Sequence, residues 1–260
     1  MFTVSVSKIK TFDTYAKGSW GDYDSVVTDI MGIKKKSLSL NIGSCVDAYI
    51  NDMLAGGDSY DKLSNKLGLF IHDDGIRELN AWGAEFKLKH PTFTVQPKST
   101  RIYTTKYGDL AVTLMKDIVY PGGIKDVKTS AWPLSKLIDG YISDIQGYLY
   151  LDDEECSLME YEHFKVSHAT NRVKYEGVAR QFPASPGYIT NVINNFMEFV
   201  MNNELSVYID RPEVYKMDTI IFSPKHFHKS VAAVLKEDPG YIKWMDGAGY
   251  KFDQEVKQQL

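Results

Sequence analysis

The segment MKDIVYPGGIKDVKTSA (residues 115–131) carries two aspartates and a lysine around a Pro-Gly-Gly turn. Proline fixes φ and glycine accepts positive φ, so Pro121-Gly122 suits the middle of a tight turn. The flanking residues 111–120 and 124–130 alternate around apolar side chains and are predicted as the two strands of a hairpin. A two- or four-residue loop then predicts the cross-strand pairs Tyr120–Gly123, Val119–Ile124 and Asp117–Asp126.

This register puts two like charges opposite each other. Side chains alternate along a strand, so Asp126 and Lys128 share one face with Asp117. Opposed residues have Cβ atoms about 4.5–5.5 Å apart, and like charges at that distance are destabilising. Mg²⁺ is commonly held by one or two carboxylates plus water, so a divalent cation turns the repulsion into attraction. The alternative is a solvated hairpin face, and a three-residue loop would break the register.

Other elements are needed to hold this hairpin. Helical spacing predicts helices over residues 5–15, 43–54 and 76–88, a helix after Trp132-Pro133 with apolar positions from 134 to 149, and a helix after the loop at 183–187. Further strands are predicted at 93–96, at 101–105 and within 158–182. The mixture predicts an α/β or α+β fold with a partly antiparallel sheet. Residues 1–211 are predicted as the main domain and 212–260 as a small appendage.

Two predicted helices place polar side chains where they could face the hairpin. Gln146 and Tyr150 are spaced i, i+4 and therefore share one helix face. Asp47 lies one turn into the helix that includes Gly43, at the edge of its apolar stripe. Each of these residues taken alone is more typical of an ordinary solvated helix flank than of a site.

Composition limits the class of protein. The chain has 260 residues, 43% hydrophobic and 13% aromatic, which is ample for a packed core. No apolar run is long enough to span a bilayer, and the N-terminus lacks the apolar core of a signal peptide, so a soluble cytoplasmic protein is expected. The formal charge of −4 argues against indiscriminate polyanion binding but allows a local basic channel. Cys45 and Cys156 provide no disulfide framework.

Taken together and in order, these segments resemble the PD-(D/E)XK nuclease superfamily, in particular its RecB-like branch with the Cas4-like and phage exonucleases. The resemblance covers roughly residues 5–151 and rests on four segments. They are the entry segment SVSKIKTFDTYAKGSW, the helix segment GSCVDAYI, the core KDIVYPGGIKDVKTS and the QGYLY element. The resemblance implies a fold with a restriction-endonuclease-like core. It also implies that the protein acts in a bacterial or phage-infected bacterial cell.

The resemblance also implies roles for individual residues. Asp117 matches the first acid, Asp126-Val127-Lys128 matches the D-x-K element, and Asp47 stands where the family usually has His or Glu. Mg²⁺ or Mn²⁺ would be held by Asp117, Asp126, the Val127 carbonyl and Asp47. Lys128 would orient water and stabilise the developing charge as a cation, since two adjacent carboxylates favour its charged form. Gln146 and Tyr150 would position water, a nucleotide or the metal shell.

Iron–sulfur members of the branch carry cysteines that this chain lacks, which implies a subtype without an iron–sulfur cluster. Residues 218–245 resemble the small C-terminal module of exodeoxyribonuclease X-like proteins, in which Asp238 would cap a helix and Pro239 would be its first residue. His226 and His228 in that module do not make a metal site by themselves. The basic residues predicted to contact phosphates are Lys8, Lys10, Lys34, Lys35, Lys36, Arg101, Lys225 and Lys229, although each is also typical of a solvated surface.

The expected function is a metal-dependent DNA nuclease, with an exonuclease in recombination, repair or phage DNA processing favoured. Its expected partners are DNA, a helicase or a single-strand annealing protein, and further copies of the chain; no membrane partner is expected. Two alternatives remain open: a silent nuclease fold that binds DNA or a protein, and a restriction-type endonuclease. Serine or cysteine nucleophile chemistry has little support, because GSCVD lacks the second glycine of a nucleophile elbow.

Overall fold

The computed structural model describes residues 1–19, 21–33, 38–57, 73–136, 144–167, 170, 172–185, 187–209, 214–221, 225–226, 229–248 and 250–260. For residues 38–42, 144 and 207 it describes the backbone alone. Lys34, Lys35, Lys36, His228 and the predicted domain boundary at 211/212 lie outside these ranges. The boundary therefore stays a prediction.

Helices and strands are interspersed along the described chain. The helices are α1 (Val6–Ala16), α2 (Tyr23–Ile30), α3 (Leu38–Leu54), α4 (Asp73–Lys89), α5 (Asp144–Glu154), α6 (Tyr188–Asn202), α7 (Val231–Glu237), α8 (Pro239–Gly247) and α9 (Gln254–Lys257), with a 3-10 turn at Ser206–Tyr208. The strands are β1 (Phe2–Ser5), β2 (Thr94–Val95), β3 (Lys98–Thr105), β4 (Gly108–Met115), β5 (Ile118–Tyr120), β6 (Gly123–Ser130), β7 (Leu158–Ser167), β8 (Arg172–Gln181), β9 (Ile220–Ile221) and β10 (Lys229–Ser230).

Among the described residues, a five-stranded mixed sheet has the order β2-β5-β6-β7-β8. The predicted hairpin is its centre: Val119 pairs with Ile124, and Tyr120 pairs with Gly123. Gly122 has a φ of 85°, which glycine adopts without strain. β6 and β7 are parallel, with α5 in the crossover between them, and β7 and β8 are antiparallel.

A second sheet corrects one prediction. Residues 111–120 do not form one strand: β4 ends at Met115 and β5 begins at Ile118. β4 belongs to a three-stranded sheet in which it pairs with β1 and β3, whereas β5 belongs to the five-stranded sheet. The break has a physical cause, because the buried Lys116 side chain turns toward the end of α5, where it bonds to Glu154. Apolar alternation continues across the break, so the sequence pattern does not reveal it.

Each face of the five-stranded sheet packs against a hydrophobic cluster. On one face, Ile124, Met159 and Tyr161 pack in a cluster that includes residues of α1, α5 and α6. On the other, Phe164 and Val173 pack in a cluster with residues of α3 and α4. A Cβ on Gly147 of α5 would collide with the Gln181 side chain of β8, so glycine lets this helix lie close to the sheet. The predicted mixed α/β fold with flanking helices is confirmed.

The helix predictions differ from the structure mainly at the ends. α1 and α4 lie where helices were predicted, while α3 begins at Leu38 rather than near residue 43. α5 covers the second half of the helix predicted after Trp132-Pro133, and residues 137–143 of that prediction lie outside the described ranges. β1 and α2 were not predicted.

The C-terminal residues have a hydrophobic cluster of their own. Its buried members lie between Tyr215 and Val256, and they include Val231, Val234 and Ile242. Pro239 is the first residue of α8 and Asp238 is its N-cap, as predicted. However, the Asp238 side chain accepts hydrogen bonds from Lys225 and His226 rather than from the first turn of the helix. In the described ranges, no helix combines the length and apolar character that a membrane crossing requires.

Candidate active site

The predicted site residues surround one cavity of about 340 Å³. It lies along β6 beyond the last pair of the hairpin, Ile118–Lys125, where β5 no longer covers the strand. The N-terminal half of α3 and the middle of α5 contribute the remaining walls. The lining residues are Gly43, Ser44, Asp47, Met115, Asp117, Asp126, Val127, Lys128, Thr129, Gln146 and Tyr150.

Asp117 is held at the break between β4 and β5. Its carbonyl accepts a hydrogen bond from the Gln96 amide at 2.8 Å. Its Oδ2 accepts one from the Val127 amide at 2.7 Å. Continued by one residue, the hairpin register puts Asp117 opposite Asp126, on the same face of the sheet. The carboxylate thus lies against the edge of β6 that β5 does not cover.

Asp126 is the most connected group in the cavity. It is 2% exposed, and its Oδ2 forms an ion pair with the Lys128 ammonium. Its Oδ1 accepts a hydrogen bond from Gln146 Nε2 at 3.1 Å. The same amide lies 3.2 Å from the Tyr150 hydroxyl, which in turn donates to the Met115 carbonyl at 2.7 Å. One face of α5 therefore fixes both Asp126 and the end of β4.

Burial and neighbouring charge together shift the pKa values of three groups around the cavity. Burial and the negative charge of Asp126 raise the pKa of Asp117 well above its ordinary value. Burial raises the pKa of Asp47 as well, and the charge of Asp126 adds to that effect. Burial and the nearby Asp126 carboxylate also raise the pKa of Tyr150, so its hydroxyl stays neutral. A cation between these groups would reverse the shifts of both aspartates.

The donor set fits a hard divalent cation. Carboxylate and carbonyl oxygens are the ligands that Mg²⁺ and Mn²⁺ prefer, and Asp47, Asp117, Asp126 and Val127 supply both kinds. In the described part of the chain, no three His, Cys, Asp or Glu side chains are grouped closely enough to hold a metal ion. Asp47 accepts a hydrogen bond from Asn51 at 3.2 Å, and Asp126 is paired with Lys128. The predicted ligand set therefore stays a prediction.

Three predicted phosphate contacts have different surroundings. Lys10 on α1 is near enough for Lys128 and Asp126 to affect it, and burial together with the Lys128 charge lowers the pKa of Lys10 to about 7. Lys8 donates to the Ile30 carbonyl at 2.8 Å, at the end of α2. Arg101 on β3 pairs with Asp152 at 3.1 Å and does not line the cavity. Of the three, Lys10 has the closest electrostatic link to the site.

The two C-terminal lysines that were predicted to contact phosphates, Lys225 and Lys229, are paired with acids. Lys225 contacts Asp238 Oδ2 at 2.6 Å, and Lys229 forms an ion pair with Glu237. His226 is 5% exposed, with its Nε2 3.0 Å from the same Asp238 oxygen. Each of these basic side chains thus has an acidic partner within the C-terminal region. A role in binding phosphates stays a prediction.

Sequence reasoning missed a buried ion-pair cluster directly beside the site. Lys116 is completely buried, and its Nζ donates to Ser99 Oγ at 2.9 Å and to Glu154 at 2.6 Å. It also forms an ion pair with Asp153. In the sequence, a lysine next to Asp117 is typical of a solvated strand residue. Its role becomes visible only in the packing of α5 against the break between β4 and β5.

The sequence matches no family model and no curated protein. Solved structures with a similar arrangement include the protein SSO0001 (TM-score 0.40, 10% identity, covering 76% of this chain and 77% of that one). An alkaline exonuclease from Laribacter hongkongensis has a TM-score of 0.32 and 13% identity, covering 75% and 93% of the two chains. A phage-related exonuclease from Haemophilus somnus has a TM-score of 0.29 and 13% identity, covering 71% of this chain and 91% of that one.

Proposed function

We propose that this protein is a nuclease that hydrolyses phosphodiester bonds of DNA with Mg²⁺ or Mn²⁺, most simply as an exonuclease. One observation carries the proposal. Seven of the predicted site residues, from Asp47 to Tyr150, line a single cavity. Two of its carboxylates lie close together: Asp126 on β6, and Asp117 directly before β5, with Asp117 Oδ2 accepting from the Val127 amide. Such a cluster of acids, with a lysine on the same face, suits charge neutralisation at a phosphate.

The metal would be held by Asp117 and Asp126, with the Val127 carbonyl and Asp47 as further ligands. When bound, the ion supplies Lewis-acid chemistry at a phosphate oxygen and makes water a stronger nucleophile. The raised pKa values of Asp117 and Asp47 are consistent with this assignment, because both carboxyl groups are buried and the charge of Asp126 adds to the effect of burial.

The chain's own residues complete the site. Lys128 lines the cavity, where its ammonium group would stabilise negative charge that develops on the phosphate. Gln146 orients Asp126 through its amide, and Tyr150 keeps that amide in place through its hydroxyl. Lys10 adds a second amine near Lys128. The burial of Asp126 and Gln146 limits the access of bulk water.

A binding protein without activity is the second candidate function. The ion pair between Lys128 and Asp126 favours it, because the lysine already neutralises one of the acids in this structure. Against it, the cavity keeps the whole set of Asp117, Asp126 and Lys128. Recombination, repair or phage DNA processing, with a helicase or a single-strand annealing protein as partner, is the proposed setting for an exonuclease.

Cleavage of end-labelled linear and closed circular duplex DNA tests the proposal, with Mg²⁺, with EDTA and with Asp126→Ala. Metal-dependent loss of linear DNA alone, abolished by the substitution, is the expected result and also gives the polarity. Cutting of the circle would make the protein an endonuclease. If neither duplex nor single strands are cut while binding persists, the enzyme assignment is wrong and the binding function stands.

A further inference from the structure

Two lysines face each other at the end of the five-stranded sheet. The register pairs Ser130 of β6 with Lys165 of β7, and Lys165 with Lys174 of β8. Both lysines are exposed, and Arg172 is exposed two residues before Lys174. Directly opposed like charges destabilise a sheet. Lys165 has some relief from Glu176 at 3.5 Å, but no acid within the described ranges pairs with Lys174 or Arg172.

These three residues, called here the basic strip, share a sheet face with the candidate site. Phe164, Val166, Val173 and Tyr175 pack in the cluster on the opposite face. The residues next to them along the strands, Lys165, Arg172 and Lys174, therefore point to the other face, which carries Asp126 and Lys128. Strands lie about 4.8 Å apart and residues rise about 3.3 Å, so the strip begins roughly 8 Å from Lys128, one strand across and two residues along. That distance is one or two nucleotides along an extended strand.

An exposed tryptophan lies beyond the end of β6. Trp132 is 49% exposed, and the Lys136 ammonium lies 4.8 Å from the centre of its ring. Ser130 Oγ bonds to both the amide and the carbonyl of Trp132 at 3.0 Å. The same oxygen lies 3.2 Å from Nε2 of the fully buried His163. The backbone that carries the tryptophan is thus anchored to the sheet.

We propose that the basic strip and Trp132 form the track along which a single DNA strand reaches the cavity. The strip would contact successive phosphates, and Trp132 would stack on a base. The inference rests on the proposed function for its choice of ligand, but its evidence is separate: two opposed lysines, of which Lys165 has a partly relieving acid, and an exposed tryptophan on an anchored backbone beside a cation. Base–aromatic stacking beside a basic groove is how single strands are bound without sequence preference.

Binding of a fluorescein-labelled oligothymidylate of about 20 nucleotides, followed by anisotropy in EDTA, tests this track without any cleavage. Lys165→Gln/Lys174→Gln should weaken binding about tenfold near 0.1 M salt. It should also reduce the slope of log affinity against log salt by about 1.4, since each phosphate contact on a single strand contributes about 0.7. Lys87→Gln/Lys89→Gln is the matched control, because it removes the same charge from α4 on the opposite face and should change neither value.

Two further measurements separate binding from folding. Lys174→Gln should raise Tm while it lowers affinity, because the opposed charges cost stability in the protein without DNA. Trp132→Ala should weaken binding by about fivefold or more. Trp244→Ala, which removes another exposed tryptophan, should have no effect.

The outcomes distinguish this inference from the proposed function. Equal affinity and equal salt dependence for the parent and Lys165→Gln/Lys174→Gln would overturn the track, even if Asp126→Ala abolishes cleavage. Failure of the parent to bind the oligonucleotide would overturn it too. If the parent cuts no DNA but binds the oligonucleotide, and Lys165→Gln/Lys174→Gln loses that binding, the track is supported and the nuclease assignment is wrong.

Discussion

At the scale of single residues, Asp126 is the group on which the site depends. It is nearly inaccessible to solvent, and it meets a cation on one oxygen and an amide on the other. Burying a carboxylate in this position requires a large desolvation free energy, and an ion pair alone seldom compensates for it. Its neighbours Asp117 and Asp47 add charge of the same sign. We infer that the arrangement is kept for chemistry rather than for stability.

Asp126→Asn is predicted to reduce metal-dependent cleavage about 1,000-fold, which corresponds to about 4 kcal/mol of barrier. Asparagine keeps the oxygen that accepts from Gln146 but loses the charge that would bind the metal. Single-turnover cleavage of linear DNA measures the effect. Asp246→Asn, at an exposed position in α8, is the control and should cleave like the parent. Cleavage within a few-fold of the parent would remove Asp126 from the mechanism.

Asp117→Asn is predicted to change the pH dependence of stability in the absence of metal. Because the pKa of Asp117 is raised in the folded state, the folded protein binds this proton more tightly than the unfolded chain does. Stability from this group is therefore greatest below about pH 4 and declines as pH rises toward the raised pKa. The variant lacks this decline, so in EDTA its stability relative to the parent should increase from pH 5 to pH 8. Urea unfolding at pH 5 and pH 8 measures the unfolding free energies of both proteins. A difference between them that is the same at both pH values would contradict the raised pKa of Asp117.

At the scale of elements, α5 connects the two acids. Its face with Gln146 and Tyr150 holds Asp126 and the Met115 carbonyl, and its last turn holds Lys116 through Asp153 and Glu154. The helix also joins the parallel strands β6 and β7. The break between β4 and β5, which places Asp117, is thus attached to the helix that positions Asp126.

Lys116→Met is predicted to destabilise the protein by about 3 kcal/mol, because it leaves Asp153 and Glu154 beside a buried apolar side chain. The matched control is Lys106→Met, which removes an exposed pair with Glu198 and should cost about 0.5 kcal/mol or less. Urea unfolding gives both values. Similar small losses in the two variants would show that the buried cluster does not anchor the strand break.

The turn was predictable from sequence and the strand break was not. Pro121-Gly122 determines the loop, and the loop determines the register, so local chemistry was sufficient for the pairs Val119–Ile124 and Tyr120–Gly123. The end of β4 depends on Lys116 reaching acids 37 and 38 positions away. The opposed pair Lys165–Lys174 depends on a bulge in the β7–β8 register, between His163 and Phe164. Neither the end of β4 nor the bulge between β7 and β8 is marked by a periodic pattern in the sequence.

At the scale of the whole molecule, the buried clusters around the five-stranded sheet contain no residue beyond Ile209 among those described. The cluster between Tyr215 and Val256 has different members. A chain of residues 1–211 is therefore predicted to fold and to keep single-turnover cleavage within about threefold of the parent. Calorimetry should find its main transition at nearly the parent Tm. Loss of that transition would show that the C-terminal region belongs to the main core.

Binding of Mn²⁺ tests the central claim most directly, since the proposed chemistry depends on paired acids that hold a divalent cation. Calorimetric titration of the parent at pH 7.5 should detect Mn²⁺ binding. Asp117→Asn/Asp126→Asn should abolish it, while Asp152→Asn, on the same helix as Gln146 but outside the cavity, should leave it unchanged. Mn²⁺ binding that survives in Asp117→Asn/Asp126→Asn, or that is absent from the parent at millimolar metal, would contradict the account.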